Sequence, residues 1–366
     1  MRRWSVAFLG LLALPGALAV YTCNSTSACP QSAPCCSEYG FCGTDSYCLG
    51  GCEPLYSYTE TSCLPEPVCE SNAWQFTDLS RVQTNGTLYN GNVTAYDWLV
   101  TKGSLELDPD GNGVRLILTE DNGGTLLSST RYVHYGKIEF VLETTKWSGV
   151  VTAAITMSDV KDEIDWEFVG NETTSAQTNY YFLGQANYSA TAGETYQVTS
   201  GGDTSQNFHT YTLDWQEDYL TWSIDGNSVR TLTKADTMAS DGQYKYPSTP
   251  SRVQISIWPA GIDSSAQGTI EWAGGMIDWT DADYIAHGYF YNTLQSVTIT
   301  CADTDDSSIT GYQYTGNDSS NVPVVGFTNR STIISGALPA SVASVGLAGL
   351  FSVAAVALPW VTWSLF

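Results

Sequence analysis

The segment KDEIDWEFVG, residues 161–170, places four carboxylates within six consecutive positions. Side chains alternate between the two faces of a β-strand, so Glu163, Asp165 and Glu167 share one face and large apolar side chains share the other. Like charges on one face repel each other and cost stability, and such costs are tolerated mainly at functional sites. The segment therefore predicts a strand with one face in a core and a chemical site on the other. An acidic edge strand and a calcium site are the alternatives.

The sequence around this segment, from residue 70 to residue 302, predicts further strands and no long helix. Short runs rich in Val, Ile, Tyr, Trp and Thr alternate with Gly, Asn and Asp. Many short strands with closely spaced turns are typical of an antiparallel sandwich or barrel. The segment DPDGNG, residues 108–113, has the composition of a hairpin turn, and a calcium loop is disfavoured because its twelfth position is Thr119. We expect one all-β domain over residues 70–302.

Paired carboxylates on one strand are the residue types that cleave glycosidic bonds. A retaining mechanism needs two carboxyl groups roughly 5 to 5.5 Å apart, and an inverting mechanism needs roughly 6.5 to 9.5 Å. On a strand the Cα atoms of Glu163 and Glu167 lie about 13 Å apart, at about 3.3 Å per residue, and the side chains can lean together. Asp165 can raise the pKa of a neighbour or share its proton. Spacing alone therefore leaves the roles of the two Glu residues unassigned.

The order of motifs along the chain assigns those roles by resemblance. EIDWE is preceded by GVVTAAITMSD and followed by QTNYYFLG, FHTYTLDW, SIDG and SIWPAG. This pattern, from about residue 75 to residue 290, resembles glycoside hydrolase family 16, whose E-x-D-x-E motif lies on a strand of a concanavalin A-like jelly-roll β-sandwich. The resemblance implies Glu163 as nucleophile, Glu167 as acid/base and Asp165 as the assisting carboxylate.

Further cleft residues are expected from strand alternation and from the same resemblance. Gln177, Asn179 and Tyr181 alternate along QTNYY as the carboxylates do, which makes them candidates for lining the cleft. Trp258 in SIWPAG matches a family position that stacks on sugar, and a core tryptophan is the alternative. His209 in FHTY is a candidate for bonding the substrate or the acid/base, and a structural histidine is the alternative.

Residues 20–69 hold nine of the ten cysteines, which is typical of a small disulfide-linked unit made in an oxidising compartment. The spacing C-x5-C-x5-CC-x5-C-x5-C, with the core CCSEYGFCG, resembles the hevein-like, family 18 chitin-binding module. The resemblance implies the disulfides Cys23–Cys36, Cys29–Cys42 and Cys35–Cys48. It also implies a sugar-binding face formed by Ser37, Tyr39, Phe41 and Tyr47. Aromatic planes suit the C–H faces of pyranose rings, whereas aromatics that only pack the knot are the alternative.

Four cysteines have no counterpart in that spacing, namely Cys52, Cys63, Cys69 and Cys301, and they allow three connectivities. We hypothesise the pairs Cys52–Cys63 and Cys69–Cys301. The second pair would join the two ends of the large domain.

Both ends of the chain resemble processing signals. Residues 1–19 combine two arginines, an apolar run and a final Ala-Leu-Ala, which predicts a secretory signal peptide. Residues 303–335 are rich in Ser, Thr, Asp, Asn and Gly and predict a linker. Residues 336–366 are small and apolar and resemble a glycosylphosphatidylinositol attachment signal, with Ser335 as the lipid-bearing residue and a tail-embedded protein as the alternative. With seven N-x-S/T sequons, we expect a secreted glycoprotein in the cell wall and on the outer face of the plasma membrane.

The formal net charge of −24, with 14 Lys and Arg, argues against nucleic acid or an anionic membrane surface as a partner. The sequence has no GxSxG, HExxH or nucleotide-binding loop, and its three histidines lack metal-ligand spacing. We expect no metal, no cofactor, a monomeric chain, and membrane contact through a lipid anchor only.

The order of signal peptide, chitin-binding module, EIDWE domain, linker and anchor signal resembles the fungal Crh-type cell-wall enzymes. That resemblance implies a retaining transglycosylase that cleaves chitin and transfers the chain to β-glucan or chitin. A plain endo-acting hydrolase of chitin or β-glucan is the alternative enzyme, because transfer and hydrolysis share a covalent glycosyl-enzyme. The alternative outside enzymes is a carbohydrate-binding adhesin, although binding alone needs no paired acid and nucleophile.

Overall fold

The residues that the computed structural model describes are 20–185, 193–303, 308–319 and 322–334. The predicted signal peptide, Ser335 and the predicted anchor signal lie outside the described residues. No helix in the described ranges has the length and apolar character needed to cross a membrane.

Short strands separated by turns make up most of the described chain, as the sequence predicts. In chain order the strands are Cys35–Cys36 (β1), Cys42–Gly43 (β2), Glu66–Pro67 (β3), Asn72–Gln75 (β4), Val82–Gln83 (β5), Trp98–Lys102 (β6), Ser104–Leu107 (β7), Val114–Leu118 (β8), Thr125–Val133 (β9), Gly136–Glu143 (β10), Val150–Ser158 (β11), Glu163–Val169 (β12), Ser175–Tyr181 (β13), Glu194–Gln197 (β14), His209–Trp215 (β15), Tyr219–Ile224 (β16), Asn227–Thr233 (β17), Ser251–Pro259 (β18), Phe290–Cys301 (β19), Gly311–Asn317 (β20) and Pro323–Thr328 (β21). The α-helices within the described ranges are Gln267–Trp272 (α1) and Ala282–His287 (α2). Single 3₁₀ turns cover Asp45–Cys48, Pro54–Tyr56, Glu60–Ser62, Gly86–Leu88 and Lys234–Thr237.

Two large sheets form the main body. The first sheet has the strand order β17-β16-β15-β10-β19-β8-β7, with β4 also paired to β19. The second sheet has the order β14-β13-β12-β11-β18-β9-β6-β5, and among its pairings in the described ranges only that of β5 with β6 is parallel. The predicted all-β sandwich is therefore confirmed, with the acidic strand β12 inside the second sheet and not at its edge.

The core lies between these two sheets. Trp166 and Phe168 of β12 place their rings 5.5 Å and 4.5 Å from the ring of Tyr211 on β15. Burial of one large apolar side chain such as Phe168 contributes about 1.5 to 3 kcal/mol. Trp222 of β16 also reaches across the core, and its Nε1 donates a hydrogen bond to the backbone carbonyl of Asp165 over 3.0 Å. Strand β12 is thus fixed from its buried side.

All ten cysteines form disulfides, and the pairs are those expected from the sequence: Cys23–Cys36, Cys29–Cys42, Cys35–Cys48, Cys52–Cys63 and Cys69–Cys301. The first four stabilise the N-terminal module, residues 20–69, which has the two-residue strands β1 and β2 and little interior. The fifth joins positions 232 residues apart and closes the two ends of the sandwich.

The prediction of a linker over residues 303–335 is wrong for β20 and β21. These strands form an antiparallel hairpin, and β20 pairs with β3 at the end of the N-terminal module. Tyr312 and Tyr314 of β20 are buried, with 1% and 3% of their surface exposed. The polar composition of this segment concealed its alternating tyrosines, which are buried against the rest of the protein.

The turn between β7 and β8 is the hairpin that the DPDGNG segment predicts. The backbone N–H of Asp108 donates to the carbonyl of Gly113 over 2.9 Å. The Asp108 carboxylate accepts from the backbone N–H of Asn112 over 3.1 Å and pairs with Arg115 over 2.8 Å. The acidic residue of this turn therefore serves the hairpin itself.

Candidate active site

Strand β12 carries its three acidic side chains on the face that points away from the core. Its intervening side chains belong to the core between the sheets, as the alternation in the sequence predicts. Glu163, Asp165 and Glu167 are nevertheless largely enclosed, with 8%, 1% and 6% of their surface exposed. We call this side of the second sheet the open face, because it is the side that is not covered by the first sheet.

The register of the neighbouring strands sets the surroundings of each carboxylate. On β13, Tyr181 lies opposite Glu163, Asn179 opposite Asp165, and Gln177 opposite Glu167. On β11 the corresponding positions hold the apolar residues Met157, Ile155 and Ala153. Directly paired side chains have Cβ atoms about 4.5 to 5.5 Å apart. The structure therefore brings all three residues expected on the QTNYY strand to the carboxylates.

Asp162, the fourth carboxylate of the acidic segment, anchors the start of β12. It is fully buried, and it accepts hydrogen bonds from the backbone N–H groups of Leu183 and Ser248, each over 2.8 Å. It also accepts from the N–H and the hydroxyl of Thr249 over 3.1 and 2.8 Å. Because these donors come from two separate loops, Asp162 fixes the position at which Glu163 enters the site.

The pKa values of all three carboxyl groups are raised, chiefly by burial. Burial raises the pKa of Glu163 to about 7, while a hydrogen bond with Asp165 and the charge of Lys161 act to lower it. Burial and the charge of Glu163 raise the pKa of Glu167 to about 8. Burial and the charges of both glutamates hold the pKa of Asp165 well above its usual range. Burial therefore favours the protonated form of all three carboxyl groups, and Asp165, whose pKa is held well above its usual range, can donate its proton to Glu163.

The Glu167 carboxyl group is not fully satisfied by hydrogen bonds from the described residues. Its Oε1 atom is buried and has no hydrogen-bond partner among the described residues. A buried carboxyl group without a partner costs stability, and such groups are found where a ligand supplies the missing bond. Asp165 shares this property, because neither of its carboxyl oxygens has a hydrogen-bond donor among the described residues, so the missing bonds mark the whole carboxyl cluster as a place for a bound molecule.

Two tryptophans flank the Glu167 end of the site. Trp258 of β18 lies opposite Val151, two residue pairs beyond the row that contains Glu167 and therefore on the same face. Trp272 of α1 lies against it, with ring centroids 5.9 Å apart and planes inclined by 23°. Its Nε1 donates to Oε1 of Gln177 over 2.8 Å. Trp258 therefore lies outside the core between the sheets but is half-buried, because it packs with Trp272 against Val151 and Val169. Trp272 is a site residue that the sequence did not indicate, because α1 has no repeating pattern.

The structure does not bring His209 to the site, so the prediction of a substrate contact for this residue is wrong. His209 lies on β15 of the first sheet and is 3% exposed. Its Nδ1 lies 2.8 Å from Oδ2 of Asp225. His209 is two residues from Tyr211 on the strand, so both side chains lie on the same face, and Tyr211 faces the core. The His209 ring therefore points into the sandwich, whereas the three carboxylates of β12 point away from the sandwich core.

The four residues expected to bind sugar in the N-terminal module lie around β1 and β2. Tyr39 and Tyr47 are 59% and 42% exposed. Ser37 and Phe41 are half-buried, and the Ser37 hydroxyl accepts from the N–H of Phe41 over 3.3 Å. The Tyr47 ring covers Gly43, where an added Cβ would lie 2.4 Å from the ring. Two exposed aromatic rings are thus held on a rigid support.

Comparison with known proteins identifies relatives of this arrangement. Residues 92–274 match Glycosyl hydrolases family 16. The chain is 45% identical to Congo red hypersensitive protein 2 of Saccharomyces cerevisiae over 300 residues, which are 81% of this chain and 63% of that protein. It is 45% identical to Crh-like protein 2 of Aspergillus fumigatus over 283 residues, which are 77% of this chain and 62% of that protein. The chain therefore spans less than two thirds of the length of either relative.

A solved structure shares the fold over most of its length. The structure of the Crh5 transglycosylase in complex with NAG superposes with a TM-score of 0.56 at 31% identity. The match covers 69% of this chain and 90% of that one.

Proposed function

The chain belongs to glycosyl hydrolases family 16, and from this membership we propose that it is a retaining transglycosylase of the fungal cell wall. It cleaves chitin and transfers the released chain to β-glucan or to chitin. The observation that carries the proposal is the group of three enclosed carboxyl groups on the open face of β12, opposite Gln177, Asn179 and Tyr181 of β13. The similarity to the Crh5 transglycosylase, whose structure contains NAG, supports chitin as the donor.

In the first half of the reaction Glu163 is the nucleophile. Its carboxylate oxygen forms a bond to the anomeric carbon of the donor while the glycosidic C–O bond breaks, and Glu167 gives its proton to the departing oxygen. Asp165 donates a hydrogen bond to Glu163 and holds it in position without taking part in the bond changes. The product is a covalent glycosyl-enzyme ester on Glu163, together with the shortened leaving chain.

In the second half the glycosyl group is transferred from Glu163 to an acceptor sugar. Glu167, now ionised, takes the proton of an acceptor hydroxyl, and the hydroxyl oxygen bonds to the anomeric carbon as the ester bond to Glu163 breaks. Water in place of the acceptor would give hydrolysis. The amide and phenol groups of Gln177, Asn179 and Tyr181 suit hydrogen bonding to sugar hydroxyls, and the Trp258 ring suits stacking on a pyranose.

The remaining parts of the chain support delivery to the wall. We assign chitin binding to the N-terminal module, through Ser37, Tyr39, Phe41 and Tyr47, because its exposed rings stand on a disulfide-linked support. We also assign a glycosylphosphatidylinositol anchor at Ser335, on the sequence alone. Together these features favour a secreted protein held at the membrane and wall.

Product analysis by mass spectrometry tests the proposal. The mature protein is incubated with chitin oligomers as donor and fluorescent laminarin or chitin oligomers as acceptors, beside Glu163→Gln and Glu167→Gln. Glu139→Gln is the matched control, because Glu139 is a glutamate on β10 of the other sheet, paired with Lys137. We expect labelled hybrid products from wild type and control, and none from the two site variants. Shortened donors without hybrids would show a hydrolase. Binding without turnover in wild type would favour the adhesin.

A further inference from the structure

A groove of about 570 Å³ lies between the N-terminal module and the second sheet, away from the carboxylates. Its module side includes Tyr39 and Ser46, and its sheet side includes Thr84, Leu99 and Thr101. Tyr39 is the most exposed of the four residues assigned to the sugar-binding face, and here its ring forms one wall of a space whose other wall belongs to the large domain.

Backbone pairing places this groove on the open face, in line with the carboxylates. Leu99 of β6 lies opposite Ser128 of β9, and Ser128 lies opposite Gln254 of β18. Gln254 lies opposite Ile155 of β11, which lies opposite Asp165. Residues paired directly across strands point to the same face. Four inter-strand spacings of about 4.8 Å therefore separate the groove from Asp165 by about 19 Å along one face of the sheet, where Ser128 and Gln254 between them are covered by their neighbours.

The width of the groove is fixed by buried contacts between the module and the sheet. Arg252 of β18, whose side chain is 4% exposed, pairs with Glu38 of the module over 3.1 Å. The backbone N–H of Gly51 donates to the Asp159 carboxylate over 3.0 Å and to the Tyr132 hydroxyl over 3.2 Å. These bonds hold the module beside the sheet, so the groove is part of the fold and needs no domain movement to form.

The chemistry of the groove suits a neutral chain rich in hydroxyl groups. Hydroxyl side chains line it on both sides, and the Tyr39 ring offers a surface for stacking. The cationic side chains in its lining are engaged within the protein, since Lys102 donates to the carbonyl of Gly123 and Arg252 pairs with Glu38. An anionic polymer would lack charged partners here, whereas a glycan needs none.

We propose that this groove is a distal glycan subsite, built jointly by the N-terminal module and the large domain, which holds a neutral sugar chain several units from the bond cleaved at Glu163. The inference rests on the proposed function for the identity of the chain. It makes the module part of the substrate cleft and not a separate tether. A donor long enough to span from Glu163 to Tyr39 gains contacts that a short donor cannot reach.

The test compares donors of increasing length with variants on the two walls. Tyr39→Ala alters the module wall, and Thr84→Trp fills the groove from the sheet side, at an exposed position. Tyr58→Ala and Thr61→Trp are the matched controls, because both are exposed on the module and do not line the groove. All proteins are enzymatically deglycosylated first, since the sequon at Asn85 also lines the groove. The readouts are kcat/KM for short and long chitin oligomers and calorimetric binding of the long oligomer in a Glu163→Gln background.

We expect wild type to prefer long donors, and we expect both wall variants to lower the long-to-short ratio of kcat/KM about tenfold, a loss of about 1.4 kcal/mol. Combining the two changes should lower the ratio little further, because both act on one site. A defect in Tyr39→Ala with none in Thr84→Trp would mean that the module binds sugar independently, and the inference would be wrong. If wild type transfers nothing, the proposed function fails, and weaker oligomer binding in both wall variants would still support the groove.

Discussion

Arg252 and Glu163 lie in one cross-strand row of the open face, separated only by Met157 of the intervening strand β11. Arg252 also pairs with Glu38, so the module is joined to the sheet two strands away from the proposed nucleophile. At about 4.8 Å per strand this is about 10 Å, so any displacement of the module changes one border of the cleft.

Loss of the Arg252 charge should destabilise the protein. Arg252→Gln removes the cation from Glu38 and from the buried Asp159, which the Arg252 charge also faces, and leaving a buried charge without its partner costs about 3 kcal/mol. Lys137→Gln is the control, since the Lys137–Glu139 pair is half-exposed and its loss should cost less than about 1 kcal/mol. Chemical denaturation measures both. Equal effects of the two variants would mean that the module contact contributes no more than a surface pair.

The protonation state of Asp165 can be tested by comparing two substitutions. If Asp165 acts as a protonated donor to Glu163, the amide of Asp165→Asn can still donate, whereas Asp165→Ala cannot. We expect Asp165→Ala to lower kcat about 100-fold, as for loss of a preorganised hydrogen-bond donor, and Asp165→Asn to lower it clearly less. Steady-state kinetics with a saturating chitin oligomer give both values. Equal losses would show that the negative charge of Asp165 is required.

The pKa values of the two glutamates predict a bell-shaped pH dependence of kcat/KM. Activity should rise as Glu163 ionises, with a pKa of about 7, and fall as Glu167 loses its proton, with a pKa of about 8. The pKa values of both limbs of the pH profile therefore lie above the ordinary range of a carboxyl group. With a donor whose leaving group needs no protonation, Glu167→Gln should keep the acid limb and lose the alkaline one. An alkaline limb that persists in Glu167→Gln would assign it to another group.

The same raised pKa values predict a loss of stability at high pH. A carboxyl group whose pKa is raised on folding binds its proton more tightly in the folded state, so its contribution is fully present below the ordinary pKa and is lost as the pH rises through the raised value. For Glu167 that window runs from its ordinary pKa of 4.5 to about 8. We expect the Tm of Glu167→Gln, measured against wild type, to increase across this window, at about 2 to 4 °C for each kcal/mol. Glu139→Gln should give no such trend, and a flat difference for Glu167→Gln would contradict the pKa assignment.

The sequence predicted the parts of the site that follow from strand periodicity. Alternation with a period of two is strict, so EIDWE and QTNYY together indicated which residues share the open face, and the register then placed Gln177 opposite Glu167. The same alternation also predicts that His209 faces the core and not the substrate. In FHTYTLDW this residue shares its face with Tyr211, Leu213 and Trp215, all of which are fully buried.

Contacts between distant segments could not be predicted in this way. The Arg252–Glu38 pair joins residues 214 positions apart, and neither residue stands out in its own segment. The hairpin of β20 and β21 was missed for a related reason. The prediction of a linker relied on the average composition of the segment, whereas the burial of Tyr312 and Tyr314 depends on the position of β3, with which β20 pairs. Such contacts are determined by tertiary packing, and no periodic pattern in the sequence indicates them.

Trp272 is the site residue with the least signal in the sequence, and its substitution tests whether it shapes the cleft. Trp272→Ala removes the ring that supports Trp258 and frees the Gln177 side chain beside Glu167. Aromatic pairs contribute about 0.5 to 1.5 kcal/mol beyond their buried area, so we expect KM to rise about 2- to 12-fold with a smaller change in kcat. Trp272→Phe keeps a ring without the N–H donor and should recover most of the loss in KM. If Phe and Ala were equally impaired, the hydrogen bond to Gln177 would be the important contact, and if neither changed KM, Trp258 would hold its position without this support.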